Sequence, residues 1–443
     1  MNKNKIIFAI IWAIILVLVI FAALNLRSSE PKQQAASSWN SFDIWILWDE
    51  EAWFTEFLTG FKQANPKYAN KTNITVESFS DYDSYFYSLV SAFAKWEWPD
   101  IFVLNNSEQS VLEDNIIGID PGLISPSDFR KAYKWVFWDD LISRTWEGVE
   151  FLKWIPVWYE SLWVFYNRRY FKSADFTSWT SLASATEKLA EKNKWKLIPI
   201  ALWSSNSTTH ASSIFTQLLA LPWESWLDKV STQNLSQALQ TYESYGDESG
   251  DNWYNTLVSN NPWKSDLDLF SLWEVAAVVW YPRTLQQIDE KWYRSTFLLA
   301  TPFPSYAWVD HNTLIDYNYF VINKSSNDPD LAISLLSYMT TDDGAEGYLD
   351  SFPYYLPARI SLEDDMLEEK VDDWYNVVYK DFYDRSSILT SFNKWIKQIY
   401  DRDVVSILSD WSLSQSRFNE LKASILCKSS KALTLENLSW NCN

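Results

Sequence analysis

Lys95-Trp96-Glu97-Trp98-Pro99-Asp100-Ile101-Phe102-Val103-Leu104-Asn105-Asn106 is the stretch that decides how this chain folds. Upstream of it, Tyr82, Tyr85, Phe86, Leu89, Val90 and Phe93 recur at helical spacing. Downstream, Asp100–Leu104 is an apolar run of strand length. The chain therefore turns from helix to strand over Lys95–Pro99. Such turns need φ > 0 or a missing Cβ, which Gly supplies cheaply. Trp stands in that slot instead.

The same oddity recurs outward from this point. Lys194-Trp195-Lys196 precedes the apolar run Leu197–Ala201, Trp280 precedes Tyr281-Pro282, and Trp154 and Trp158 flank Ile155-Pro156-Val157. The chain has 28 Trp and 8 Gly in 443 residues, where a globular chain carries about 7% Gly. Some bacterial lineages read the codon UGA as glycine, and translating them with a code in which UGA means Trp gives this pattern. Most of the Trp therefore read as glycine positions. A Trp-rich surface binder explains the surplus of Trp but not the missing Gly.

Around the opening stretch the periodicity predicts an α/β lobe. Phe42–Leu47 and Ile74–Phe79 read as strands, and Phe54, Phe57, Leu58 and Phe61 form a helix face that Pro66 stops. With Asp100–Leu104 this is β-α-β-α-β, whose crossovers are long enough for parallel strands. Leu162–Asn167 leads away into a second α/β unit, with a helix around Leu182–Lys192, a strand Leu197–Ala201, helical stretches around Ser213–Leu221 and Leu235–Tyr245, and a strand Glu274–Val279. Tyr317–Asn323 reads as a strand returning to the first lobe, backed by a helix Pro329–Tyr338, and Glu363–Leu426 as an amphipathic helical tail.

Composition narrows the function classes. Acidic residues outnumber basic ones 57 to 37, for a net charge of −20, and no Lys/Arg cluster interrupts this balance, which argues against a nucleic-acid partner. His210 and His311 are the only histidines, and no HExxH or CxxC spacing exists, so neither a zinc site nor another metal or cofactor is expected. No GxSxG, Walker A or His-bearing triad pattern is present even with Gly returned to the Trp positions. Acidic pairs such as Asp139-Asp140 and Asp364-Asp365 are the raw material of a glycoside-active enzyme, but adjacent side chains point apart. The chain is not expected to be an enzyme.

Ile6–Leu24 is an uncharged run of 19 residues preceded by Lys3 and Lys5. As a helix it spans roughly 28 Å at about 1.5 Å per residue, close to a bilayer's hydrocarbon core. It reads as an uncleaved transmembrane anchor with the body outside, or alternatively as a cleaved signal peptide. Arg27–Asn40 reads as a flexible tether. Cys427 and Cys442 lie in the exported part; a disulfide there stabilises the tail by about 3 kcal/mol, and two free thiols are the alternative.

Five motifs in order carry a family resemblance. Read with Gly at both Trp, Lys95–Phe102 resembles the "AxGxGPDIF" signature of extracellular solute-binding proteins of family 1, the ligand-capturing subunits of ABC importers. Lys153-Trp154-Ile155-Pro156-Val157 through Leu162–Asn167, completed by Tyr170-Phe171, resembles their "GIPV…L.LFYN" crossing segment. Phe176-Thr177-Ser178-Trp179-Thr180-Ser181-Leu182 resembles "P.TWDEL", which marks Trp179 as a genuine Trp although the usual prolines are absent. Phe270–Tyr281 is similar to "F..GK.AM..GY", with Glu274 in place of Lys, and Leu356-Pro357-Ala358-Arg359 to a "PAR" element. The resemblance runs from about Phe42 to Leu421, and restoring Gly improves three of the motifs at once.

The resemblance implies two Rossmann-like lobes joined by a hinge, the type II periplasmic-binding-protein arrangement, closing on a ligand in the cleft. The expected division is 1–25 anchor or signal segment, 26–40 tether, 41–158 and 303–345 lobe one, 159–302 and 346–443 lobe two. It also implies a small solute, a carbohydrate in many relatives, and permease subunits as partners of a monomer. Candidate ligand contacts sit at strand ends. Asp49 and Glu50 follow the first strand, as hydroxyl acceptors or as helix N-terminal acids. Asn105 and Asn106 follow the third, as ligand contacts or turn caps. Tyr159 and Glu160 lie in the crossing segment, and Tyr281 and Arg283 after a second-lobe strand. Tyr317 and Tyr319 border the returning strand and point the same way, to cleft or to core. The competing readings are a membrane-tethered surface or adhesion protein and a secreted enzyme; repeats or many short strands would favour the former, turnover the latter.

Overall fold

The apolar runs on either side of the opening stretch form the strands and helices their spacing predicts. The computed structural model describes residues 41–47, 51–106, 115–193, 197–202, 208–220, 237–238, 241, 265–287, 297–305, 312–350, 355–369 and 388–391. Strands β1 (Phe42–Leu47), β2 (Ile74–Phe79) and β3 (Ile101–Asn105) are parallel, with β1 in the middle. Between them, helix α1 (Glu51–Ala64) buries Phe54, Phe57, Leu58 and Phe61, and α2 (Tyr82–Lys95) starts on the Asp81 carboxylate, which accepts a 2.8 Å bond from the Ser84 N–H.

The end of α2 shows what the chain requires at position 96. The Glu97 N–H reaches the Ala92 carbonyl at 3.0 Å and the Trp96 N–H the Phe93 carbonyl at 3.4 Å. That pair of bonds places Trp96 at the left-handed position of a Schellman ending, with φ 64°. The later helix α7 (Asp266–Ser271) ends the same way: Glu274 N–H to Leu269 O at 2.9 Å, Trp273 N–H to Phe270 O at 3.0 Å, φ of Trp273 61°. Among the described residues these two Trp are the only non-glycine positions with positive φ. Each occupies the slot that Gly fills in such endings.

Two sheets organise the rest. After β4 (Ile116–Ile117) and α3 (Pro126–Ala132), α4 (Trp138–Leu141) leads into a short hairpin, β5 (Ile142–Arg144) with β6 (Glu150–Leu152). Strand β7 (Ile155–Ser161) then runs through Leu162 into β8 (Trp163–Asn167). Beyond β8 come α5 (Trp179–Lys192), α6 (Ala211–Ala220), α7, β9 (Ala277–Trp280) and β10 (Leu298–Pro302). Strand β11 (Asn312–Asn323) follows, then α8 (Pro329–Met339), α9 (Asp342–Leu349), β12 (Leu356–Pro357), α10 (Ile360–Glu369) and β13 (Ile388–Ser391).

The larger sheet has the order β12-β7-β11-β3-β1-β2, with β4 and β13 also on β11; the smaller has the order β10-β8-β9. Because β7 belongs to one sheet and β8 to the other, a nearly uninterrupted strand crosses between them. The chain crosses back between β10 and β11.

Three differences from the sequence reading have physical causes. The expected strand Leu197–Ala201 makes two parallel bridges to the region of β9, Ile198 with Val275 and Ala201 with Val278, and the described strands of the smaller sheet pair antiparallel. The expected helical tail is interrupted: Ile388–Ser391 is a strand, parallel to Asn312–Ile315 of β11. Ile388 and Thr390 are β-branched and suit a sheet better than a helix. Finally, Leu356-Pro357 pairs with Tyr159 and Trp158 of β7, and Ala358 N–H bonds Val157 O at 3.0 Å, so this stretch sits on the larger sheet.

Ile6–Leu24, the tether and most of Leu235–Tyr245 lie outside the described residues, as do Asp49, Glu50, Cys427 and Cys442. Among the described residues no helix is long and apolar enough to cross a membrane.

Candidate functional site

Where the two sheets meet, the end of β3 and the start of β11 face α6 and the turn after β9 across about 380 Å³ of open space. Only about 30 Å³ of it admits the centre of a water molecule, far below the size of a ligand pocket, so the gap as it stands is too tight for a saccharide. From the larger sheet come Asn106, Leu314, Ile315 and Asp316; from the smaller, Ser213, Thr216, Gln217 and Tyr281; Leu162 comes from the crossing itself. Each side chain is there for a local reason. On α6, Ser213, Thr216 and Gln217 recur at i, i+3 and i+4, so one stripe of the helix is polar. On β11, alternation aims Asp316 to the face opposite Tyr317 and Tyr319.

The amides of the β3 end hold this edge rigid. Asn105 Nδ2 donates to Asp316 Oδ1 at 2.6 Å and to Asn318 Oδ1 at 3.0 Å, while Asn106 Oδ1 accepts from the Tyr317 N–H at 3.4 Å. Across the gap, Gln217 Oε1 accepts from the Leu314 N–H at 2.9 Å. Thr216 is 5% exposed, and its Oγ1 is buried with no hydrogen-bond partner among the described residues. An unsatisfied hydroxyl of that kind costs free energy until something bonds to it.

Beside the cavity, Arg283 Nη1 lies 3.1 Å from Glu160 Oε1, joining the turn after β9 to β7. The Glu160 side chain is 2% exposed and that of Arg283 21%. Arg283 also lies over the Tyr281 ring, 5.4 Å from its centroid. Burial works against the guanidinium charge, but Glu160 foremost, then Tyr355 and Asp316, hold its pKa above the ordinary value. His210 Nε2 pairs with Thr284 Oγ1 at 2.9 Å and meets the Tyr281 ring edge-on.

Of the residues singled out from sequence, Asn106 and Tyr281 line the cavity, and Asn105, Glu160 and Arg283 surround it. Tyr159, Tyr317 and Tyr319 are packed in the core of the larger sheet. Tyr159 accepts a 2.9 Å bond from Lys134 Nζ, which also pairs with Glu363. Tyr317 donates to Asp140 Oδ2 at 2.7 Å, and burial, then that carboxylate, drives its hydroxyl pKa well above the usual value. Tyr319 stacks on Trp154 at 4.6 Å. Both β11 tyrosines do point the same way, and that way is the core. Asp316, Ser213, Thr216 and Gln217 were missed; polar residues breaking an apolar strand or helix face were the available signal. Among the described residues no group of three His, Cys, Asp or Glu is placed to hold a metal ion.

A cavity between two α/β lobes joined by crossing strands is the architecture of a ligand-capturing protein. Residues 61–376 match the model of the bacterial extracellular solute-binding protein family, and the chain belongs to that family. No curated protein matches it by sequence. Among solved structures it is similar to the ABC substrate-binding protein Lmo0181 of Listeria monocytogenes in complex with cycloalternan (TM-score 0.66, 15% identity, 89% of this chain and 99% of that one). It is also similar to the GacH receptor of Streptomyces glaucescens, known unliganded and with acarbose (TM-score 0.64, 14% identity, 89% and 97%). A third is the sugar-binding protein MalE of Xanthomonas citri (TM-score 0.64, 16% identity, 89% and 98%). At these identities the likeness is one of fold. The family places the body of the protein outside the cytoplasm.

Proposed function

We propose that this protein captures a carbohydrate between its two lobes and delivers it to the permease of an ABC importer, without chemical turnover. The polar lining of the inter-lobe cavity carries this reading, and it includes Thr216, whose buried hydroxyl has no hydrogen-bond partner among the described residues. Hydroxyls, amides, one carboxylate and the face of Tyr281 suit the polar edges and C–H faces of a sugar. The saccharides named with the Listeria and Streptomyces proteins support that class. Asn106, Tyr281, Asp316, Ser213, Thr216 and Gln217 make the contacts, Asn105, Glu160 and Arg283 position them, and Asp49 and Glu50 are further candidate contacts. Lobe one is 41–158 with 303–345, carrying Leu356–Glu369 on its sheet, and lobe two is built on 159–302. Ile6–Leu24 anchors a monomeric body to the outer face of the membrane.

We further propose that most Trp are glycine in the cell. The left-handed endings at Trp96 and Trp273 support this most directly, and Trp154 adds a buried indole N–H without a hydrogen-bond partner. Trp179 is the exception: it opens α5 after the Ser178 cap and packs edge-on against Phe303 at 5.2 Å. At Trp280 the indole N–H bonds Asp266 at 2.7 Å in the core, so that position tests the rule hardest.

A thermal-shift screen of the protein as the cell makes it, over mono- and oligosaccharides, amino acids and polyols, tests the transport reading. A saturable rise in melting temperature with a saccharide and no product is expected; consumption of a saccharide sinks it. Peptide masses carrying Gly at positions 96 and 273 are expected, and Trp there ends the recoding proposal.

A further inference from the structure

We infer that Glu160 sets the charge selectivity of the cleft: by holding Arg283 it denies acidic ligands their cation, so the site takes neutral or amino saccharides and rejects uronates. This inference rests on the carbohydrate reading above and adds the charge class of the ligand.

Among the described residues, none that lines the cavity carries a positive charge, and Asp316 presents a carboxylate to it. Arg283 is a cation beside the cavity, and it is ion-paired with Glu160 at 3.1 Å. An Arg guanidinium is the usual partner of a ligand carboxylate, through two parallel N–H bonds. Here the protein's own carboxylate stands 3.1 Å from one guanidinium nitrogen as an ion pair, held on a β7 strand whose residues are all buried. The carboxylates of Glu160 and Asp316 stand against this one guanidinium. An entering carboxylate meets repulsion from Asp316 at low effective dielectric, and Glu160 competes with it for Arg283. A hydroxyl or ammonium group instead donates to Asp316, and a bond from Asn105 at 2.6 Å orients its carboxylate. Specificity here comes from a built-in repulsive element as well as from attraction.

The test is titration calorimetry of the protein with three disaccharides: maltose as neutral, the glucosamine dimer of chitosan as cationic, and digalacturonate as anionic. A wider set of neutral, amino and acidic oligosaccharides follows where these are too weak. The wild-type protein is expected to bind neutral or amino members at least tenfold more tightly than acidic ones. Glu160→Gln is expected to raise the acidic-to-neutral affinity ratio at least tenfold, because it releases Arg283. Asp316→Asn leaves the ion pair in place and covers the case in which Glu160→Gln does not fold. It is expected to raise the same ratio at least threefold while weakening the neutral ligand. An acidic saccharide bound most tightly by the wild type overturns this inference and leaves the carbohydrate reading standing, as does a ratio unmoved by the variants. Binding of no saccharide of any charge defeats both.

Discussion

Gln217, on helix α6 of the smaller lobe, accepts a 2.9 Å hydrogen bond from the backbone N–H of Leu314 at the start of β11 in the larger one. The bond spans the cavity, and the side chain that makes it is 1% exposed. The two lobes are therefore tied together at one point by the protein itself. Truncation as Gln217→Ala leaves the Leu314 N–H without that acceptor, at a cost to the closed form of about 1–3 kcal/mol. Small-angle scattering of the ligand-free variant is expected to show a larger radius of gyration, with ligand affinity at least fivefold weaker. An unchanged radius and affinity mean that Gln217 does not tie the lobes.

The left-handed backbone at Trp96 and Trp273 gives a stability prediction with a known sign. A residue with a Cβ is disfavoured there by about 1–2 kcal/mol, while Gly loses roughly 0.5–1 kcal/mol more chain entropy on folding. Trp96→Gly and Trp273→Gly are each expected to stabilise the Trp-bearing protein by about 0.5–1 kcal/mol in urea unfolding. Trp96→Ala keeps the Cβ and serves as the control. A gain from Ala equal to that from Gly shows that the indole, and not the backbone, is the source.

Tyr317 separates the core from the site. Its hydroxyl donates to Asp140 at 2.7 Å on the face of β11 away from the cavity. Tyr317→Phe is expected to lower stability by about 1–3 kcal/mol, since the carboxylate loses a donor in the core. The ligand dissociation constant should stay within about twofold, a difference of only ~0.4 kcal/mol in binding. A large affinity loss at full stability places Tyr317 in the site instead.

Acid titration has a marker in Glu150. Bonds from Arg130 at 2.7 and 3.0 Å, and then from Arg144, bring its pKa down to about 2. A lowered folded value means that the contribution is present above the unfolded value of about 4.3 and is lost as pH falls towards about 2. Glu150→Gln is expected to flatten the dependence of the urea midpoint on pH across that window, and to do so less at high salt, since the cluster is partly solvated. An identical slope in both proteins removes Glu150 from the acid limb.

Much of the first lobe was legible from the chain. Phe42–Leu47 and Ile74–Phe79 form strands with those same ends, and the helix faces at Phe54–Phe61 and Tyr82–Phe93 are where the 3.6-residue period puts them, except that Val90 is exposed. Local pattern dictates these elements, because an apolar stripe must be buried whatever surrounds it. The site was only partly legible. Asn106 and Tyr281 follow strand ends and were found by that rule; Gln217 and Asp316 sit inside elements and were not. Period 2 shows that Tyr317 and Tyr319 share a face and that Asp316 has the other. It cannot show which face meets a second lobe.

The linear order of residues thus determined the strands and helices of the first lobe and the demand for a left-handed residue at position 96, because each depends on neighbours within a few residues. The partners of Arg283, the side of β11 that meets the cavity and the strand at Ile388–Ser391 were decided by the tertiary structure alone. Each of these depends on segments far apart in the chain. Packing the two lobes together fixes which polar groups are left facing the space between them.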